Sequence, residues 1–218
     1  MTPEPEWTYR HAEQLRDHWW WRPGWRVGTR FYAWHITVDD QPDFHHLAER
    51  YQVELATVDG LDLIPHEWLH LTMQGVGFVE AVSDDALTAL LASARTRLAQ
   101  VGPVTVQFER PVIRPEAVAL PPSPVEPIQR LRAVVRSAIA DALGDDALPE
   151  SAEGYQPHIS LAYVSADQPA VNVRRAIERV SADPAKLTVS AVSLIEMHRD
   201  RRMYEWQTVK AVPLGRSA

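Results

Sequence analysis

The segment His70-Leu71-Thr72-Met73 recurs 88 residues later as His158-Ile159-Ser160-Leu161. Each copy reads histidine, apolar, hydroxyl, apolar. On an extended strand alternate side chains share a face, so His70 and Thr72 point together while Leu71 and Met73 point into the core. His158 and Ser160 form the matching pair. Two imidazoles that flank one phosphorus can divide a proton transfer between them. One takes a proton from an attacking hydroxyl or water, and the other gives a proton to the leaving oxygen. Histidine suits both roles because its ordinary pKa lies near ~6.5. The two hydroxyls can hydrogen-bond the non-bridging oxygens. This chemistry calls for no metal and no cofactor, and none is expected.

Two further patterns compete for attention. His35-Ile36-Thr37-Val38 also fits the tetrapeptide, but it lies on the opening strand of the first half. The counterpart of that strand, Val112–Leu120, has no histidine, so His35 is expected to be a substrate-side or structural residue. His66-Glu67-Trp68-Leu69-His70 matches H-E-x-x-H, the zinc-peptidase signature, which must lie inside a helix for both histidines to face one metal. Pro65 precedes it and Gly75 and Gly77 follow, a poor helical context, with the glycines expected at a strand end or bulge. Metallopeptidase is therefore the weakest alternative, and a non-catalytic RNA or nucleotide binder is the other. Tyr155 and Tyr163 flank the second motif and are candidates for base stacking or for packing. Arg199, with Arg201 and Arg202, falls in a turn and is a candidate phosphate contact. His45 and His46 are expected on a helix surface.

These residues need elements to position them. Arg30–Val38 reads as a strand. A helix follows from Asp40 and Pro42, with Phe44, Leu47, Ala48 and Tyr51 on one stripe. A strand is expected around Trp68–Val76, then a helix capped at Ser83 with Leu87, Leu90, Leu91, Ala94 and Leu98 inward. Val104–Phe108 alternates as a half-buried strand. Val112–Leu120 opens a second set. Ser123 and Glu126 read as a capping box, with Pro124 at the first turn of a helix that Gly144 ends. Gln156–Tyr163 is a strand, Ala170–Val180 a helix, and Leu187–Glu196 with Met203–Val212 a closing hairpin. The β-α-β-α-β unit thus occurs twice. The expected fold is α+β: two lobes, about residues 30–110 and 111–213, each an antiparallel sheet backed by helices, facing a central groove. Residues 1–29 stand apart as an extension carrying Trp7, Trp19, Trp20, Trp21 and Trp25. It is expected to pack on the core, with a base-stacking wall as the alternative.

The bulk composition narrows the partners. The 218 residues are 45% hydrophobic and 23% charged, enough for a core. There is no cysteine, which removes disulfides, thiolate zinc sites and cysteine nucleophiles. No apolar run approaches the ~20 residues of a membrane span, and the N-terminus lacks a signal-peptide pattern. A cytoplasmic protein without a membrane partner is expected. The net charge of −7 argues against coating duplex DNA and favours small substrates or strand ends. The charge is uneven. Residues 39–64 carry seven acids against Arg50 alone, whereas residues 174–210 carry eight bases against five acids.

With both motifs in view, the chain resembles the two-histidine (2H) phosphoesterase superfamily, in particular its 2'-5' RNA ligase, or LigT-like, family. The resemblance rests on Leu69–Met73 and on Tyr155–Leu161, including the aromatic-x-Pro lead-in to His158, and spans roughly residues 30–213. It implies a duplicated bilobal fold and metal-free hydrolysis of cyclic phosphates or 2'-5' linkages in RNA ends or nucleotides. It implies His70 and His158 as the acid–base pair and Thr72 and Ser160 as phosphate ligands. One departure is Gln156, where the family often has arginine before the second motif's proline.

Overall fold

The computed structural model describes residues 10–216. Trp7 therefore lies outside the described residues. In chain order the elements are β1 (Gln14–Leu15), β2 (Phe31–Thr37), α1 (Pro42–Leu55), β3 (Leu61–Leu63), β4 (His70–Phe78), α2 (Asp84–Leu98), β5 (Val104–Phe108), β6 (Val112–Ile113), β7 (Ala117–Leu120), α3 (Glu126–Leu143), β8 (Ile159–Val164), β9 (Gln168–Pro169), α4 (Val171–Glu178), β10 (Ala185–Val189), β11 (Ala191–His198) and β12 (Glu205–Pro213). The fold is α+β, antiparallel throughout its strand pairs and backed by helices.

The strands carrying the motifs sit side by side at the centre. The order is β12-β11-β2-β4-β8-β7-β6, with β3 also on β8. Two half-sheets meet between β4 and β8 at one residue pair, Leu71 with Ile159. The halves exchange strands across the sequence. β3, from the first half of the chain, pairs with β8, and the closing hairpin β11–β12 lies against β2. β5 and β10 form a separate ribbon.

Apolar stripes fix the helices on one face. Phe44, Leu47, Ala48, Tyr51 and Leu55 of α1 are buried, as are Ile128, Leu131, Val135, Ala138 and Ile139 of α3. α1 packs towards β3, β8 and β10, and α3 towards β4 and β5. Ser83 caps α2, its side chain accepting from Ala86 N–H at 3.2 Å. The capping box expected at Ser123 and Glu126 does not form. α3 begins at Glu126 without a side-chain cap, and the backbone of Ser123 instead exchanges hydrogen bonds with Gln107. A ladder contact satisfies the same donor as a cap would, and here tertiary pairing wins. The closing hairpin also differs from expectation. Residues 187–189 leave it, as part of β10, to pair with β5, so the hairpin proper is β11–β12.

Residues 12–18 run along the edge of the second half-sheet. Ala12 N–H donates to Ile113 O, Arg16 N–H to Pro115 O and His18 N–H to Val164 O, at 2.7–2.8 Å. Arg199, 3% exposed, clamps the next turn. Its guanidinium donates to His18 O and Trp20 O and lies over the rings of Trp19, Trp21 and Tyr204.

Candidate active site

The two motifs are placed by the same local geometry. Leu71 and Ile159 occupy equivalent motif positions and pair with each other in antiparallel fashion. A local two-fold therefore relates the motifs, and the next positions out are the histidines and hydroxyls. Each motif also carries a bulge at its fourth residue. His35 pairs with Thr72 and Trp34 with Gln74, skipping Met73. Ala119 pairs with Ser160 and Val118 with Ala162, skipping Leu161. A bulge resets the alternation of faces, which is why Gly75 and Tyr163, not residues 74 and 162, continue the open face.

That face lines a cavity of ≈ 580 Å³. His70, Thr72, His158 and Ser160 all reach it, together with His35 and Tyr163. Each motif imidazole is fixed through Nδ1 to the carbonyl two residues upstream, His70 to Trp68 O and His158 to Gln156 O, both at 2.8 Å. A carbonyl only accepts, so each Nδ1 carries the proton and each Nε2 presents a lone pair. Burial pushes the His70 imidazole down to about 4. Burial, then the charge of Arg114, brings His158 down to about 4. Both rings are neutral at pH 7 in the free protein, and a bound anion between them would favour protonation of one.

His35 lines the cavity from below, packed under the ring of His70. It is 1% exposed, stacks on His70 with centroids 4.2 Å apart and planes 5° from parallel, and meets Thr72 Oγ1 at 3.4 Å through Nε2. Trp206 closes the edges of both rings. Burial holds His35 neutral. Tyr163 stacks on His18 at 4.4 Å. Two expected substrate contacts fall elsewhere. Tyr155 is outside the cavity lining; it donates its hydroxyl to Thr72 O at 2.7 Å, with Arg132 over its ring, and so braces the motif strand. Arg199 is likewise absent from the lining and ties down residues 18–20, because a guanidinium flanked by three aromatic rings has no reach left for solvent.

Several lining residues gave no signal in the sequence. Arg16, His18 and Arg22 come from the N-terminal segment, and Arg114 and Glu116 from the turn between β6 and β7; Trp25, one of the tryptophans singled out in that segment, lines the cavity with them. Arg22 pairs with Glu116 at 2.7 Å. Glu150 enters from the 145–154 loop, held by Gln74 Nε2 (2.7 Å) and Gly75 N–H (3.1 Å). Arg132 and Arg136 secure that loop by donating to the carbonyls of residues 150–152. The H-E-x-x-H stretch is not helical across its length: His66–Trp68 is a single 3-10 turn and His70 starts β4. His66 instead stacks on His45. Among the described residues no group of three acids or histidines is arranged to hold a metal.

A family model described as the 2'-5' RNA ligase superfamily matches residues 39–201. The chain belongs to the 2'-5' RNA ligase superfamily. Members of this superfamily are two-histidine phosphoesterases and ligases, which makes the chain an enzyme of that broad type. Solved structures agree on the superfamily fold. TT0787 of Thermus thermophilus is 18% identical, with 86% of this chain and 100% of that chain covered and a TM-score of 0.67. E. coli LigT complexed with ATP is 19% identical, covering 86% and 99%, with a TM-score of 0.57. E. coli LigT complexed with 3'-AMP is 17% identical, covering 85% and 98%, at 0.58. A search of curated protein sequences finds no match. The superfamily match begins at residue 39, so the N-terminal segment that walls the cavity lies outside it. Among the described residues no helix is long and apolar enough to cross a membrane.

Proposed function

We propose that this superfamily member is a metal-independent phosphodiesterase that opens 2',3'-cyclic phosphates or cleaves 2'-5' linkages in RNA ends or nucleotides. The observation that carries this reading is the symmetric pair of Nδ1-anchored imidazoles, His70 and His158, opening onto one cavity. One Nε2 takes a proton from water as its oxygen attacks phosphorus. The phosphorus–ribose oxygen bond breaks, and the other, protonated imidazole gives its proton to that oxygen. Thr72 and Ser160 hold the non-bridging oxygens while negative charge grows on them. The E. coli LigT complexes with ATP, 3'-AMP and NADP+ support a nucleotide-type substrate.

The test is a turnover screen of 2',3'-cyclic nucleotides and 2'-5' oligonucleotides with chelator present. His70→Ala and His158→Ala should each lower kcat by about 10²–10⁴-fold, with a smaller change in affinity. Variants that turn over at the wild-type rate would leave only a nucleotide-binding protein.

A further inference from the structure

We propose that the N-terminal segment completes a second anion subsite beside His158, so that the preferred substrate carries another phosphate in addition to the one that reacts. This inference rests on the reading of the cavity as a phosphodiester site, and it assigns a role to residues that lie outside the superfamily match.

The cavity has two unlike ends. At one end Trp25, Phe31, Ala33 and Met197 form an apolar wall, with Trp25 and Phe31 rings 5.5 Å apart. At the other, backbone pairing of Arg16 with Pro115 sets Arg16 next to Arg114. Arg114 is close enough to His158 for its charge to act on that ring. Arg22 completes the group, and Glu116 is the carboxylate at this end. Glu116 is already engaged by Arg22 at 2.7 Å and by Trp20 Nε1 at 3.0 Å. Among the described lining residues this end holds three guanidiniums, Arg22 already paired with Glu116, and one carboxylate, so its described side chains are net positive in a chain whose net charge is −7. Guanidinium forks match phosphate oxygens, and a site of this sign is stable when an anion occupies it. The other lining carboxylate, Glu150, sits near Gly75 and Phe31 at the apolar end.

The layout gives an order to the ligand. The base lies against the apolar wall, the reacting phosphate between His70 and His158, and the second phosphate against Arg16 and Arg114. The chemistry is that of a nucleotide bearing both a 2',3'-cyclic and a 5'-phosphate, or of an RNA strand end whose next phosphate is a diester.

Calorimetric titration of the full chain with 3'-AMP, with adenosine 3',5'-bisphosphate and with the dinucleotide ApAp tests the subsite without turnover. The bisphosphate should bind about tenfold or more tightly than 3'-AMP, as charge-assisted hydrogen bonds to a second phosphate require. Arg16→Glu should cut that ratio by at least about tenfold, and Arg16→Gln by less. ApAp binding as tightly as the bisphosphate assigns the subsite to a strand; weaker binding assigns it to a terminal phosphate. Equal affinity for 3'-AMP and the bisphosphate, or a ratio that survives Arg16→Glu, overturns the subsite. Loss of preference with turnover intact spares the phosphodiesterase reading. A preference that Arg16→Glu abolishes, in a protein that turns over no cyclic phosphate, spares the subsite and overturns the function.

Discussion

His70 and His158 share one anchoring device, an Nδ1–H donated to a carbonyl two residues back, but their surroundings differ. His70 rests on a buried imidazole, and His158 has a guanidinium nearby. Both rings are held down to about 4 in the free protein. The sign of the pH dependence follows. A reaction that needs one charged and one neutral imidazole finds the charged one scarce in the free enzyme at pH 7. kcat/KM should therefore fall as pH rises from about 5 to 8, since it reports the free enzyme. The kcat optimum should lie higher, because a bound phosphate raises the pKa of the pair. Steady-state profiles of both parameters check this, and a kcat/KM that climbs across that range contradicts it. Removing the charge with Arg114→Gln should move the His158 titration upward by NMR, and His70 less.

Of these residues, the sequence made the four motif side chains legible because alternation on a strand links spacing to facing. It could not place His35. The same tetrapeptide pattern fits a ring that opens onto the cavity and one packed underneath that ring, and only strand neighbourhood separates the two. His35→Ala should open a hole under His70 and cost about 2–4 kcal/mol of stability, read by denaturant unfolding.

At the scale of elements, the motif strands β4 and β8 were readable from their tetrapeptides, but their adjacency was not. Local pattern says nothing of partner choice, so the three-residue strand Leu61–Leu63 and the pairing of residues 185–189 with β5 escaped it. The bulges at Met73 and Leu161 escaped it too, because a skipped residue is a property of two strands and not of one. The N-terminal segment shows the same limit: tryptophans signalled packing, but which arginines would reach the cavity depended on contacts with the turn at 113–116. Arg199 holds this segment. Arg199→Ala should leave the carbonyls of His18 and Trp20 without their donor and strip the cation from three rings. A loss of about 2–4 kcal/mol is expected, with faster tryptic cleavage after Arg16 and Arg26, the Arg22–Pro23 bond being resistant. Unchanged cleavage would show that the strand-like hydrogen bonds at residues 12–18 suffice.

For the whole molecule, acid is the vulnerable direction. The imidazoles of His18, His70 and His158 are held down to about 3, 4 and 4 by burial first, and His35 lies well below its ordinary value. In each case the unfolded chain binds a proton that the folded chain refuses. Stability should therefore be full above about pH 6.5 and decline on acidification toward 4, each group costing at most ~1.4 kcal/mol per pH unit. Urea midpoints at pH 7 and pH 5 read this directly, and replacing His18 with Gln should flatten the slope.

The paired bulges carry a consequence for selectivity. At the seam the two motifs match residue for residue, so a tetrahedral centre would meet the same array from left and right. One layer outward the match ends: the mirror of bare Gly75 is the ring of Tyr163, and the mirror of His35 is Ala119. In the proposed reaction the middle of the molecule would be indifferent to strand polarity, and its rim would impose it. On that reading bond making and bond breaking could exchange sides without rearranging the centre, and drift at the rim alone would change which end of a substrate strand is accepted.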